Sequence, residues 1–175
     1  RPRRCWRPRS GGPPGPGSGV GVSVGGGFVT SQVGAGVRLP ESGTVFISVR
    51  NADKPKACAL ARQLHEMGFT LVATRGTAAA LSASGVPVTA VHKVQEGRPH
   101  VVDLLKNGEV SLVFNTVEEK RGAIADSRAI RTTALAQRVT YFTTIAGAIA
   151  AVQGMRTMRQ LEVYSLQELH ARLAR

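Results

Sequence analysis

Lys54, Thr74, Thr77 and Lys93 carry the chemistry of a phosphate site, provided the chain folds so that they meet. A lysine supplies a compact positive charge, and a threonine hydroxyl both donates and accepts hydrogen bonds. Gly76, between the two threonines, allows backbone to come close to a bound group. Lys54 falls where the first turn of a helix is expected, and there the macrodipole disfavours a cation unless an anion joins it. Asn115 and Thr116 could hydrogen-bond a sugar or a base nearby. The same residues also read as ordinary helix caps and solvated lysines, because no Walker-type loop singles them out. Residue chemistry alone leaves both readings open.

The elements that must position these side chains follow from hydrophobic periodicity. Residues 44–49 (TVFISV) read as a first strand, after which Ala57, Leu60, Ala61 and Leu64 recur at helical spacing. Asn51 and Asp53 offer capping side chains to that helix, and Gly68 closes it as a C′ residue. A short strand at 70–73 precedes an alanine-rich helix reaching about Ser84. Residues 86–91 read as a third strand, with Pro87 marking its start or a sheet edge. Pro99 can open a helix ending before the Asn107-Gly108 turn, and 111–114 form a fourth strand. Asp126 and Ser127 are read as caps of a helix through Ala136. A fifth strand at 139–142 leads to a small-residue helix opened by Thr144. A last strand at 161–164 and a terminal helix, capped by Ser165 and Glu168, complete the pattern.

Strands alternating with helices indicate an α/β fold with a parallel sheet. In such a sheet ligands bind beyond the carboxyl ends of the strands, where helix N-termini attract anions. Those ends carry Arg50, Asn51 and Lys54, then Thr74 to Thr77, then His92 and Lys93, then Asn115 and Thr116.

The chain has 175 residues, with 42% hydrophobic and 19% charged, which suits a folded soluble protein and excludes wholesale disorder. No apolar run approaches the roughly 18 residues that span a bilayer, and the basic N-terminus lacks the apolar core of a secretory signal. Cys5 and Cys58 alone cannot build a disulfide framework or a cysteine-rich zinc site. A soluble cytoplasmic chain without membrane association is expected. Of the formal net charge of +12, Arg1, Arg3, Arg4, Arg7 and Arg9 supply five with no acid near them. Such a tail could touch phosphates nonspecifically, but Trp6 is its only aromatic, so specific nucleic-acid binding is not expected.

Other chemistry is poorly supplied. His65 and His170 lie within expected helices, and His92 and His100 lack metal-ligand spacing with other His, Cys or carboxylate residues. Met155 and Met158 read as packing residues. Ser48, Ser82 and Ser127 lack the G-x-S-x-G context of a serine hydrolase.

Several segments together carry a family likeness: TVFISVRNADKPK, GFTLVATRGTAAAL, VHKVQEGRPHVVDLLKNGEV, FNT, IADSRAIRTTAL and YFTT…AVQGM. They closely resemble the C-terminal regulatory domain of the carbamoyl-phosphate synthase large subunit, continuously over 44–175. The resemblance implies a Rossmann-like parallel-sheet sandwich of the methylglyoxal-synthase-like type, preceded by an irregular N-terminal segment. Residues 19–43, especially GVG and SQVGAG, resemble the end of the preceding ATP-grasp domain and its linker. Residues 1–18, a basic Pro/Gly-rich tail, resemble nothing recognisable, and a truncated or misread terminus is the expectation there.

In that family the domain is allosteric rather than catalytic. It binds UMP as an inhibitor and, in some members, IMP as an activator of carbamoyl phosphate synthesis for pyrimidines and arginine. The resemblance places Lys54, Thr74, Thr77, Lys93 and Asn115 at the nucleotide site, with Thr116 following in the same motif. It puts Asp126 and Ser127 in a loop motif near the ribose or base, and Thr143 at a position that some members use for ornithine. It implies no cofactor in this segment, with ATP and divalent metal confined to catalytic domains outside it. Its implied partners are those ATP-grasp domains and a small glutaminase subunit. Two departures fall at the base end: the family's Thr-Thr is Thr116-Val117, and 118–121 (EEKR) replaces a shorter, less acidic loop.

The alternative is a methylglyoxal-synthase-like phosphate lyase. That reaction needs a carboxylate base over the substrate carbon. The lyase family carries Gly-Asp where this chain reads Gly97-Arg98-Pro99-His100, so Glu96 would have to point into the site instead.

Overall fold

A computed structural model describes residues 39–157 apart from 95 and 118–120. Strands β1 (Thr44–Ser48), β2 (Thr70–Thr74), β3 (Thr89–Val91), β4 (Leu112–Asn115) and β5 (Thr140–Phe142) alternate with helices. The helices are α1 (Lys54–Glu66), α2 (Arg75–Ala83), α3 (Val101–Lys106), α4 (Arg121–Ala136) and α5 (Ile145–Thr157). The strands form one wholly parallel sheet in the order β3-β2-β1-β4-β5. This is the expected α/β Rossmann-like architecture.

Side-chain alternation along the strands builds a core on each face of the sheet. Val45 and Ile47, Leu71 and Ala73, and Leu112 and Phe114 pack with apolar residues of α1, α2 and α5. Phe46, Val72 and Val113, one position out of phase, pack with Val101, Leu105, Ile130 and Ala134 of α3 and α4. Strands buried on both faces read as continuous apolar runs, as residues 45–47 and 112–114 do. The Phe114 and Phe142 rings lie 5.8 Å apart at 42° between β4 and β5.

The helix ends explain where the element boundaries fall. Gly68 has φ +88, and the Phe69 amide donates to the Leu64 carbonyl at 3.1 Å, the pattern of a glycine-closed helix. The α2 terminus repeats it with Gly85 and a bond from the Val86 amide to Leu81. Val86 is therefore part of the helix stop, and β3 starts at Thr89 rather than at 86. Pro87 stands just outside the edge strand, where its missing N–H costs no ladder bond. Arg138 takes the same closing role after α4, with φ +55, unusual for a residue other than glycine.

Three expected caps differ. Asp53 precedes α1 but does not cap it; its carboxylate takes a 2.8 Å hydrogen bond from Arg50 Nε instead. Helix α3 is opened by His100 rather than Pro99, through a capping box in which His100 and Asp103 exchange side-chain and backbone bonds. Helix α4 begins at Arg121, so Asp126 and Ser127 lie within it and are neither caps nor loop residues. Thr144 behaves as read, accepting from the Gly147 amide at 3.1 Å. The expected strand at 161–164, the Ser165–Glu168 cap and segments 1–18 and 19–38 lie outside the described residues. Among the described residues no helix is long and apolar enough to cross a membrane.

Candidate functional site

The strand order runs one way from β1 to β3 and the other way from β4 to β5, so the sheet's switch point lies between β1 and β4. Ser48 of β1 is registered against Asn115 of β4 at that point. The chain leaves both strands in opposite directions and opens a crevice at their carboxyl ends. A cleft of about 560 Å³ occupies this position.

One part of the cleft gathers cations, hydroxyls and a helix start. Lys54 opens α1, Thr74 and Thr77 flank the start of α2, and Lys93 follows β3; all line the cleft with Gly76. Thr74 precedes α2 in an extended conformation without capping it by its side chain. Its hydroxyl instead meets Thr77 Oγ1 at 3.3 Å and Ser48 Oγ at 3.4 Å. Thr77 Oγ1 also accepts from the Val49 amide at 3.3 Å. The hydroxyls thus hold the strand ends together and leave the α2 N-terminus without a side-chain cap. Neither Lys54 nor Lys93 joins an ion pair among the described residues. Two cations lining one cleft with an uncapped helix start are a chemistry that can recognise a phosphate.

The remaining lining is hydrogen-bonded and apolar. Asn115 and Ser127 are buried and joined by a 3.0 Å bond from Asn115 Nδ2 to Ser127 Oγ, tying β4 to α4. Thr116 Oγ1 accepts from the Arg50 amide at 3.1 Å. Burial alone would raise the Asp53 carboxyl, but hydrogen bonds from Arg50 and Thr116, with the charges of Arg50 and Lys56, hold it below the usual carboxylate range. Asp126 behaves oppositely. Burial raises its carboxyl and Glu96 adds to that effect, while Lys93 and His100 oppose it.

The structure therefore brings together eight expected residues: Lys54, Thr74, Thr77, Lys93, Asn115, Thr116, Asp126 and Ser127. Thr143 is exposed just beyond β5 and does not line this cleft. His100 is committed to capping α3, whereas His92 Nδ1 lies 2.7 Å from an Arg75 guanidinium nitrogen. Glu96 does line the cleft, but its carboxylate accepts from the Lys93 amide at 3.2 Å, within its own turn. Ser48 and Val94 also line the cleft, beyond the residues expected from sequence. The polar ending of TVFIS was the available signal for Ser48. Among the described residues no cluster of three or more His, Cys, Asp or Glu could hold a metal ion.

A family model described as the MGS-like domain matches residues 56–143. The chain belongs to the MGS-like family. This MGS-like chain is 59% identical over 155 residues to the carbamoyl phosphate synthase large chain of Ralstonia nicotianae, covering 89% of this chain and 14% of the relative. It is 48% identical over the same length and shares to the corresponding large chain of Pasteurella multocida. The large chain of Neisseria meningitidis serogroup A is 46% identical, again over 89% and 14% of the two chains. The MGS-like chain thus spans about a seventh of the length of these relatives.

Proposed function

We propose that this chain is the allosteric effector-binding part of a glutamine-dependent carbamoyl-phosphate synthase, non-catalytic by itself. Its cleft binds nucleoside monophosphates, with UMP as inhibitor and IMP as a second effector. What supports this reading is that Lys54, Lys93 and the uncapped start of α2 line the same switch-point cleft. A phosphate placed there relieves the unfavourable position of Lys54 and gains charge-assisted hydrogen bonds. Asn115, Thr116, Asp126 and Ser127 then face the sugar and base, against a wall that includes Val101 and Ile130.

Regulation requires that the effector bind differently to two states of the whole enzyme, with coupling of about 1–3 kcal/mol. ATP, a divalent metal, the ATP-grasp domains and a glutaminase subunit belong to the rest of that assembly. Thr143, away from the cleft, remains the candidate for an ornithine contact. The test is UMP inhibition of the intact synthase with and without Lys93→Ala. Inhibition shifted to higher UMP, with uninhibited turnover retained, supports the reading; unchanged inhibition refutes it.

A phosphate-eliminating lyase is the competing reading, kept by the presence of Glu96 in the cleft wall. Formation of methylglyoxal from dihydroxyacetone phosphate, lost on Glu96→Gln, would select it.

A further inference from the structure

Helix α4 carries a core face and, apart from it, an outer stripe. Ile130 and Ala134 pack in the core. Ile124, Arg128, Arg131 and Leu135 recur at i, i+4, i+7 and i+11 and so align along the helix. All four are exposed. Among the described residues, Ile124 and Leu135 are the large apolar side chains left in solvent, at 49% and 72% exposure. They stand about 16 Å apart along the axis at 1.5 Å per residue. A lone exposed leucine calls for no account, but two large apolar side chains on one stripe with arginines between them are not a random scatter.

The charge on the stripe has one sign. Neither Arg128 nor Arg131 joins an ion pair among the described residues. Helix α4 contains no lysine or glutamate, and its one acid, Asp126, lines the cleft. A solvated helix face is ordinarily laced with opposite charges one turn apart. Arginine with apolar side chains and without lysine is instead the composition of a protein–protein contact.

The stripe also selects the class of partner. A guanidinium takes a carboxylate in a two-pronged pair. Arginines set between Ile124 and Leu135 therefore complement a surface on which carboxylates lie between two apolar patches. The stripe has no aromatic ring to stack a base, and two aliphatic side chains offer too little apolar area to hold a membrane surface.

We propose that the α4 stripe is a docking surface for an acidic protein face supplied by the rest of the synthase large chain. This chain spans 14% of the length of its relatives, so the same polypeptide has ample surface to provide that face. The assignment rests on the reading of this chain as part of a synthase, and is independent of whether the cleft binds a nucleotide.

The experiment measures alkylation by N-ethylmaleimide at Leu135→Cys and, separately, at Ile124→Cys. Labelling is read on the α4 peptide by mass spectrometry, in the 175-residue chain and in the intact synthase. Both positions are exposed, so neither substitution disturbs the core. Thiol reactivity follows exposure, and docking should slow labelling about ten-fold or more in the intact synthase relative to the separate chain. Adding Arg128→Glu with Arg131→Glu should bring the two rates together. Equal rates without those charge reversals would overturn the docking, and a difference that survives them would overturn the acidic partner. Slowing in the separate chain that grows with its concentration would assign the stripe to a second copy, and slowing by an added oligonucleotide would assign it to nucleic acid. Either result overturns the proposal. UMP inhibition of the same enzyme keeps the two readings apart: protected thiols in a synthase that UMP does not inhibit would leave the docking standing and overturn the effector site.

Discussion

The Lys54 ammonium reaches the start of the neighbouring helix: a side-chain Cβ built on Gly76 would lie 4.0 Å from Lys54 Nζ. Lys54 thus stands at the first position of its own helix and beside the first turn of another. Both macrodipoles oppose its charge. The placement is unfavourable in the empty protein and favourable once an anion lies between them.

Lys54→Ala should therefore separate stability from binding. Thermal denaturation of the unliganded variant should show a Tm equal to or above that of the parent, from relief of roughly 0.3–1 kcal/mol of dipole repulsion. Phosphate-ester affinity should fall by about ten-fold or more. A lower Tm together with unchanged affinity would mean that Lys54 only packs.

Gly76→Ala offers a second separation. The added methyl makes an ordinary contact with Lys54 Nζ, and alanine is the better helix former by up to about 1 kcal/mol. The fold should tolerate it. The methyl should obstruct an anion approaching the α2 backbone, lowering ester affinity at unchanged or higher Tm.

Thr77→Val should act on the fold itself. The Thr77 hydroxyl accepts from the buried Val49 amide, and valine keeps the shape while removing that acceptor. A loss of about 1–3 kcal/mol in urea denaturation is expected without any ligand present. Loss of binding with full stability would assign Thr77 to ligand contact alone.

Asp53 and Asp126 should give opposite pH signatures. The Asp53 carboxyl is held below its ordinary value in the folded chain, so its stabilisation is present above about pH 4 and lost as pH falls through the folded pKa. Asp53→Asn should destabilise at neutral pH, with the gap to wild type closing in acid. The Asp126 carboxyl is held above its ordinary value, so the folded state binds the proton more tightly and stability declines as pH rises past about 4. Asp126→Asn should remove that decline and leave the variant the more stable at neutral pH. Paired denaturation curves from pH 3 to 7 measure both effects.

The sheet was readable because its central strands are buried on both faces and their apolar runs are uninterrupted. Gly68 marked a helix end correctly because a positive φ is nearly confined to glycine. Val86 reads as strand in the sequence yet belongs to the helix stop, because an apolar residue after a glycine can pack back on the helix as easily as start a strand. Asp126 and Ser127 misled for a related reason. Their side chains suit a helix start, yet both lie inside α4, facing a cleft and the buried Asn115 amide. The cleft residues were legible from the rule that parallel sheets bind ligands at strand carboxyl ends. The bonding of each hydroxyl was not, because Thr74 resembles a cap in sequence and only tertiary contacts show it bonding sideways to Ser48 and Thr77.

A nucleoside monophosphate site in the switch-point cleft requires that UMP or IMP bind there saturably and through Lys93. The decisive experiment is calorimetric titration of UMP and IMP into the 175-residue chain, with Lys93→Ala as the paired variant. Saturable binding, weakened about ten-fold or more by the substitution, is the predicted result. A protein folded by circular dichroism that binds neither nucleotide, or that binds equally well without Lys93, would contradict it.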